Sequence, residues 1–93
     1  MIRTPIDLGP LLPFTRVLAA RLATIGGHYQ CSLTLEQDGL AVNLKSMLGM
    51  LSQTMKPTSD ISLVADGADE EAATRAIAAA IEEYNRGDAA PKP

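Results

Sequence analysis

The stretch CSLTLEQDGLAVN, residues 31–43, decides the fold of this chain. Apolar and polar side chains alternate from Cys31 to Glu36, and the alternation resumes at Leu40-Ala41-Val42. Asp38-Gly39 lies between the two runs, and Asp-Gly favours two-residue hairpin turns because both residues accept positive φ angles. The stretch therefore predicts two antiparallel strands with one apolar face, and this face must be covered by another layer.

Two amphipathic helices could supply that layer. The segment 16–25 has apolar residues at helical spacing, with Thr15 as the expected N-cap and Gly26-Gly27 as the expected end. The segment 70–84 has the same periodicity and follows Asp69, its expected N-cap. The predicted buried stripes consist of Leu18, Leu22 and Ile25 in the first helix and of Ala73, Ile77, Ile81 and Tyr84 in the second.

The remaining elements complete an α+β chain. A short helix is expected over 46–52, a strand over 61–65, and a weaker strand over 2–8, where Pro5 favours an edge position because proline cannot donate to a ladder. The order β-α-β-β-α-β-α predicts two layers, a four-stranded antiparallel sheet with helices on one face. The pattern leaves the strand order open. We expect one domain over 1–84 and a loose C-terminal tail over 85–93.

Composition excludes several classes of function. The 93 residues include 8 Lys+Arg against 11 Asp+Glu, a net charge of −3, and the basic residues form no stripe. Three aromatic residues are too few for a base-stacking platform, so nucleic acid is not an expected partner. The apolar runs fall short of the roughly 18 residues of a membrane span, and the N-terminus makes a poor signal peptide. One cysteine excludes an internal disulfide, so a cytoplasmic location is expected.

Few residues offer independent catalytic chemistry. The single histidine, His28, follows a predicted helix end and is expected to be a solvated loop residue. Cys31 lies on the inward face of the hairpin and is expected in the core. The acidic residues over 66–71 suit a helix N-terminus without a metal, and a structural zinc site needs four ligands. The sequence therefore predicts no enzyme, no metal and no cofactor.

The segment 43–51 has a different character. Ser46 is the expected cap of a short helix that contains Met47, Leu48, Met50 and Leu51. A helix this short cannot bury all four side chains under a thin sheet, so we expect an exposed, methionine-rich contact surface.

VNLKSMLGMLS, residues 42–52, resembles the second-helix region of HPr, the histidine-containing phosphocarrier of the sugar phosphotransferase system. LEQDGLAVN and LVADGADEEAATRAI also match this family's pattern, and the likeness runs from residue 31 to 84 without obvious gaps. The resemblance implies an HPr-like open-faced sandwich with strand order 1-4-2-3.

The carrier signature of that family is altered in this chain. Gly-[Leu/Ile]-His-Ala-Arg-Pro-Ala opens the family's first helix, and aligned back from Ser46 it falls on residues 13–19. Thr15 takes the position of the phosphorylated histidine, Val17 that of the arginine, and only Ala19 agrees. Because a threonine hydroxyl gives a stable ester whereas an imidazole gives a transferable phosphoramidate, the resemblance implies the fold without phosphohistidine transfer.

The second family site is retained. Ser46 matches the serine that HPr kinase/phosphorylase phosphorylates in many bacteria, as in the Crh branch, which also lacks the histidine. The resemblance implies that kinase, a catabolite-control regulator or other phosphotransferase-system proteins as partners. Candidate partner-binding residues are Lys45, Met47, Leu48 and Leu51 around the second helix, and Thr15 and Arg16 at the first.

Three hypotheses remain open. The chain could be a regulatory module controlled through Ser46, a phosphocarrier whose site has moved, for instance to His28, or an interaction domain that uses no phosphate.

Overall fold

The computed structural model describes residues 1–8, 14–52 and 60–86, and its elements follow the predicted order. They are β1 (Ile2–Ile6), α1 (Arg16–Gly26), β2 (Ser32–Gln37), β3 (Leu40–Asn43), α2 (Met47–Ser52), β4 (Ile61–Asp66) and α3 (Glu70–Arg86).

The β2–β3 hairpin forms around Asp38-Gly39. Gln37 pairs with Leu40, which leaves a two-residue loop. Asp38 has a φ of 48° and Gly39 a φ of 84°, the pair of positive values that matches the loop to the right-handed twist of the strands. The turn predicted from sequence is therefore confirmed.

The four strands form one antiparallel sheet in the order β1-β4-β2-β3. β1 lies at an edge, where Pro5 faces Ser62 of β4, as its missing N–H predicts. The strand order implied by the family resemblance is confirmed. β1 ends at Ile6, two residues earlier than predicted, although Leu8 is still fully buried.

The core lies between the sheet and the helices. Alternate residues of the strands point into it, among them Leu33, Leu35 and Leu63, each at most 1% exposed. α1 packs against α2 and α3, α2 against β3, and α3 against β1 and β4. The buried helix residues include Leu18, Ala19, Leu22, Ala73, Ile77, Ala80 and Ile81.

Asp69 connects two distant segments, which sequence did not predict. Its carbonyl accepts the Ala73 N–H at 3.0 Å, so it holds the N-cap position of α3. Its carboxylate, however, accepts the backbone N–H groups of Gln30 at 2.8 Å and Cys31 at 2.9 Å. The prediction that the acidic cluster serves only to cap α3 was therefore incomplete, because this side chain ties the start of α3 to the start of β2.

The C-terminal end of α3 also differs from expectation. The helix continues to Arg86, two residues past the predicted end at Tyr84. The Asn85 side chain donates to the Asp7 carbonyl at 2.7 Å, which joins the end of α3 to the end of β1. The rest of the predicted tail, 87–93, lies outside the described residues.

Candidate functional site

The turn before α2 fixes the position of Ser46. Asn43 accepts two backbone N–H groups, that of Lys45 on its side-chain oxygen and that of Ser46 on its carbonyl, both at 3.0 Å. Ser46 then caps α2: its carbonyl accepts the Met50 N–H at 3.0 Å and its Oγ accepts the Gly49 N–H at 2.9 Å. The predicted cap is confirmed, and the serine hydroxyl acts in it as an acceptor, so this bond does not use the hydroxyl proton.

Gly49 provides space beside the Ser46 hydroxyl. A Cβ at position 49 would lie 3.1 Å from Ser46 Oγ and 3.2 Å from Ser46 Cβ, closer than side chains normally approach. Sequence analysis did not single out this glycine. The signal was available as the Ser-x-x-Gly spacing, since the third residue after an N-cap is the one whose N–H the cap receives.

The side chains of α2 divide into two pairs. Met50 is fully buried and Met47 is partly buried against the core, whereas Leu48 is 72% and Leu51 37% exposed. The expected exposed apolar surface is therefore present, but the expectation that it is rich in methionine is wrong, because the leucines face solvent instead. Val17 of α1 is also exposed, at 51%. We call Val17, Leu48 and Leu51 the α1–α2 apolar surface, since they lie on two helices that pack together.

Lys45 reaches across to the end of α1. Its Nζ donates to the Tyr29 carbonyl at 2.7 Å. Its Cγ would lie 3.3 Å from a Cβ on Gly26, and Leu44 Cδ2 would lie 3.0 Å from the same atom. Gly26 is thus needed for close packing of α1 against the turn that carries Ser46. The sequence predicted this glycine only as part of the helix end, not as a packing position.

The start of α1 is built around Thr15. Its Oγ1 accepts the Leu18 N–H at 3.1 Å, which confirms the predicted N-cap. Thr15, Arg16 and Val17 are exposed, whereas Leu18 is buried. Thr15 is therefore accessible to a partner, and its hydroxyl oxygen already accepts the hydrogen bond that caps α1.

Comparison with known proteins agrees with this architecture. Residues 16–83 match the family described as the PTS HPr component phosphorylation site. This chain belongs to the HPr family. It is 32% identical to the HPr-like protein Crh of Bacillus subtilis over 65 residues, which cover 70% of this chain and 76% of Crh. The HPr-like protein Crh of Halalkalibacterium halodurans is 34% identical over 64 residues, which cover 69% and 76% of the two chains.

Solved HPr-family structures share the fold. HPr-C-His from Thermoanaerobacter tengcongensis has a TM-score of 0.78 at 26% identity, covering 89% of this chain and 93% of that protein. Crh of Bacillus subtilis has a TM-score of 0.62 at 32% identity, covering 70% and 75%. The resemblance stated from sequence, including its likeness to Crh, is confirmed.

The HPr-family match begins at Arg16, one residue after the position that sequence comparison assigned to the family histidine. The only imidazole of the chain belongs to His28, which is exposed and follows the C-cap of α1. The 11 residues of α1 separate Thr15 from that end, a rise of about 16 Å. α1 therefore does not bring His28 to Thr15, and the Lys45 side chain, beside Ser46 in sequence, contacts this far end of the helix.

Cys31 is a buried residue of this HPr-family core. It is 2% exposed, and burial, followed by the hydrogen bond with the Asp69 carboxylate, raises the pKa of its thiol. The pKa of Asp69 is lowered, first by the hydrogen bond from the Gln30 N–H and then by that from Cys31. Its burial confirms the predicted core position, and a thiol with a raised pKa is a poor nucleophile.

In the described ranges up to residue 86, no three His, Cys, Asp or Glu side chains cluster in a way that could hold a metal ion. None of the described helices is long and apolar enough to cross a membrane.

Proposed function

We propose that this chain is a regulatory HPr-family protein that receives a phosphoryl group on Ser46 and does not pass one on through a histidine. Partners then recognise Ser46 together with the α1–α2 apolar surface. The observation that carries the proposal is the threonine N-cap of α1, where the family signature has its phosphorylated histidine.

The chemistry of Thr15 supports the first part of the proposal. A phosphoryl group on an imidazole nitrogen is transferred readily, whereas one on a threonine oxygen forms a stable ester. Val17 is apolar where the family signature has an arginine, so no guanidinium at that position could hold a phosphoryl group. The start of α1 thus lacks the nucleophile of a phosphohistidine relay, and its cation, Arg16, lies one residue before the signature position.

The surroundings of Ser46 support the second part. The hydroxyl oxygen is held at one place by the Gly49 N–H, and Gly49 has no side chain to crowd it. Leu48 and Leu51 on the same short helix offer a partner apolar surface. A phosphoryl group there would add about two negative charges and three acceptor oxygens to this contact surface.

The partners follow from the family. HPr kinase/phosphorylase would add the phosphoryl group, and a catabolite-control regulator or another phosphotransferase-system protein would bind the product. Lys45 Nζ is occupied by the Tyr29 carbonyl, so Arg16, which is exposed, is the better candidate for a cationic contact with a partner.

Phosphorylation of the intact chain tests the Ser46 assignment. Incubation with ATP and an HPr kinase/phosphorylase should add the mass of one phosphoryl group. Ser46→Ala should abolish this addition, whereas Ser52→Ala should retain it. Ser52 is the matched control because it lies on the same helix, and its Oγ donates to the Leu48 carbonyl at 2.6 Å. An unchanged mass, or equal labelling of the Ser46→Ala variant, would refute the assignment.

A second experiment tests the lost relay. Incubation with phosphoenolpyruvate and enzyme I should give no acid-labile phosphate. Acid-labile label that disappears in His28→Ala would favour a carrier with a relocated site, since His28 is exposed.

A third experiment separates phosphate-dependent from phosphate-independent binding. Leu48→Asp should weaken capture of a partner by the phosphorylated chain at least about tenfold, the loss typical of a buried contact residue. Because Leu48 is 72% exposed, the free energy of unfolding should change by only about 0.5 kcal/mol. Binding that is equal for wild type and Ser46→Ala but lost in Leu48→Asp would support an interaction domain without phosphate.

A further inference from the structure

The chain contains two Asp-Gly pairs, and their structural surroundings differ. We propose that Asp38-Gly39, at the tip of the β2–β3 hairpin, is a site of spontaneous isoaspartate formation in the folded protein. Asp66-Gly67, between β4 and α3, has the same two residues and is protected from this reaction by its contacts.

The reaction needs only water. The Gly39 backbone nitrogen attacks Cγ of the protonated Asp38 carboxyl group and forms a new N–C bond, while the carboxyl hydroxyl leaves and takes the amide proton to form water. The product is a cyclic imide, which water then opens. When water adds at the original backbone carbonyl, the old C–N bond breaks, the main chain continues through Cγ, and an α-carboxylate is released. Glycine in the second position favours the attack because no Cβ shields its nitrogen.

The hairpin tip leaves this reaction unobstructed. Asp38 and Gly39 are both exposed. Apart from Gly39 and its two chain neighbours, no atom of the described residues lies within 4 Å of the place where a Cβ of Gly39 would be. The carboxyl group of Asp38 can therefore change rotamer, and the backbone can adjust, without displacing a neighbour.

The second pair is held on both sides. The Gly67 N–H donates to Glu70 Oε1 at 3.1 Å, so the attacking nitrogen would first have to lose this bond to a carboxylate. A Cβ on Gly67 would lie 2.6 Å from Cys31 Cα, so the backbone has no room to move on that side. Asp66 is itself the last residue of β4 and pairs with Ser32.

The consequence for the hairpin follows from its loop length. Isomerisation inserts one extra carbon atom into the main chain of a two-residue loop whose geometry sets the strand register. β3 is an edge strand of four residues and leads directly to the turn before Ser46. An aged molecule should therefore have weaker hydrogen-exchange protection along β3.

Trypsin separates the two sites. The Asp38-Gly39 pair lies in the peptide 22–45 and the Asp66-Gly67 pair in the peptide 46–75, because the bond between Lys56 and Pro57 resists the protease. After prolonged incubation of the intact folded chain, isoaspartate is measured in each peptide by protein isoaspartyl methyltransferase labelling. We expect at least about tenfold more in 22–45, the factor that a bond to a charged group is worth. Under denaturant the two peptides should be labelled at similar rates.

Two variants test the causes. Asp38→Ser should remove the label from peptide 22–45, and Glu70→Ala should raise the label in peptide 46–75. Equal labelling of the two peptides from the folded chain would overturn the proposal. So would labelling of 22–45 that appears only under denaturant. A Glu70→Ala variant with unchanged labelling would refute the protection by this hydrogen bond.

Discussion

Gly67→Ala should destabilise the fold more than any other glycine-to-alanine change at a described position. Gly67 has a φ of 152°, which L-residues avoid at a cost of about 1–3 kcal/mol. An added Cβ would also lie 2.6 Å from Cys31 Cα and 2.7 Å from Cys31 Cβ. Because the nearest atom belongs to the backbone, the turn itself must move, and overpacking of this kind costs about 1–3 kcal/mol.

The two contributions together give a loss of about 2–6 kcal/mol. A domain of this size has a free energy of unfolding of roughly 5–15 kcal/mol, so the variant should be much less stable than wild type. The expected fall in Tm is roughly 10–50 °C, measured by circular dichroism. Movement of the turn would also pull the Asp69 carboxylate away from the Gln30 and Cys31 N–H groups, so amide exchange at residues 30 and 31 should accelerate.

Gly39→Ala is the matched control. Gly39 also has a positive φ, 84°, but in the part of the chain that the structure describes its Cβ position has no atom within 4 Å beyond those of its chain neighbours. It should therefore show the backbone cost alone, about 1–2 kcal/mol. If the two variants lose the same stability, or if Gly67→Ala matches wild type, the close contact with Cys31 is not what requires glycine at position 67.

Three further predictions concern Ser46, the Asp69 carboxylate and the Cys31 thiol. Gly49→Ala should slow phosphorylation of Ser46, since the added Cβ would lie 3.1 Å from Ser46 Oγ. The free energy of unfolding should change by less than about 1 kcal/mol, because the better helix propensity of alanine offsets the crowding. An unchanged initial rate of phosphorylation, measured by mass spectrometry, would refute this prediction. Asp69→Asn should lower Tm at neutral pH. The folded-state pKa of Asp69 is lowered, so the contribution of its carboxylate to the free energy of unfolding is complete above about pH 4 and is lost as pH falls through the folded-state pKa. The Tm difference between the variant and wild type should therefore shrink in acid. An equal Tm difference at neutral and at acid pH would contradict the assignment. Cys31 should react with iodoacetamide far more slowly in the native chain than in denaturant, because the thiol is buried and its pKa is raised; equal rates would exclude the buried position.

Short-range sequence patterns predicted most of the elements of the fold. Each of these features depends on residues within a few positions of one another, so a local sequence pattern reveals it. They are the hairpin, the two capped helices and the edge position of β1. The strand order was different, because pairing of β1 with β4 joins residues some sixty positions apart. It came from the family resemblance, not from periodicity.

The candidate site was predicted less completely, for two physical reasons. The Asp69 carboxylate bonds to backbone groups 38 and 39 positions away, and no local pattern records such a contact. In α2, Met47 and Met50 share one face and Leu48 and Leu51 another, as their three-residue spacing dictates. Both pairs are apolar, so the pattern could not decide which pair faces the core.

Under the proposed function, this fold keeps one phosphorylation site and has lost the other, and the two positions lie at the starts of different helices. Thr15 is exposed and contributes a cap worth about 1 kcal/mol, which several polar residues could supply, so packing does not require a histidine there. Leu18, Ala19 and Leu22 bury α1 whatever residue precedes it. Ser46 lies in a turn fixed by Asn43, and its hydrogen bonds are with Asn43, Gly49 and Met50, so a change at the start of α1 leaves these bonds untouched. Under the proposed function, loss of the relay therefore needs no compensation in the core, and the serine site can act alone.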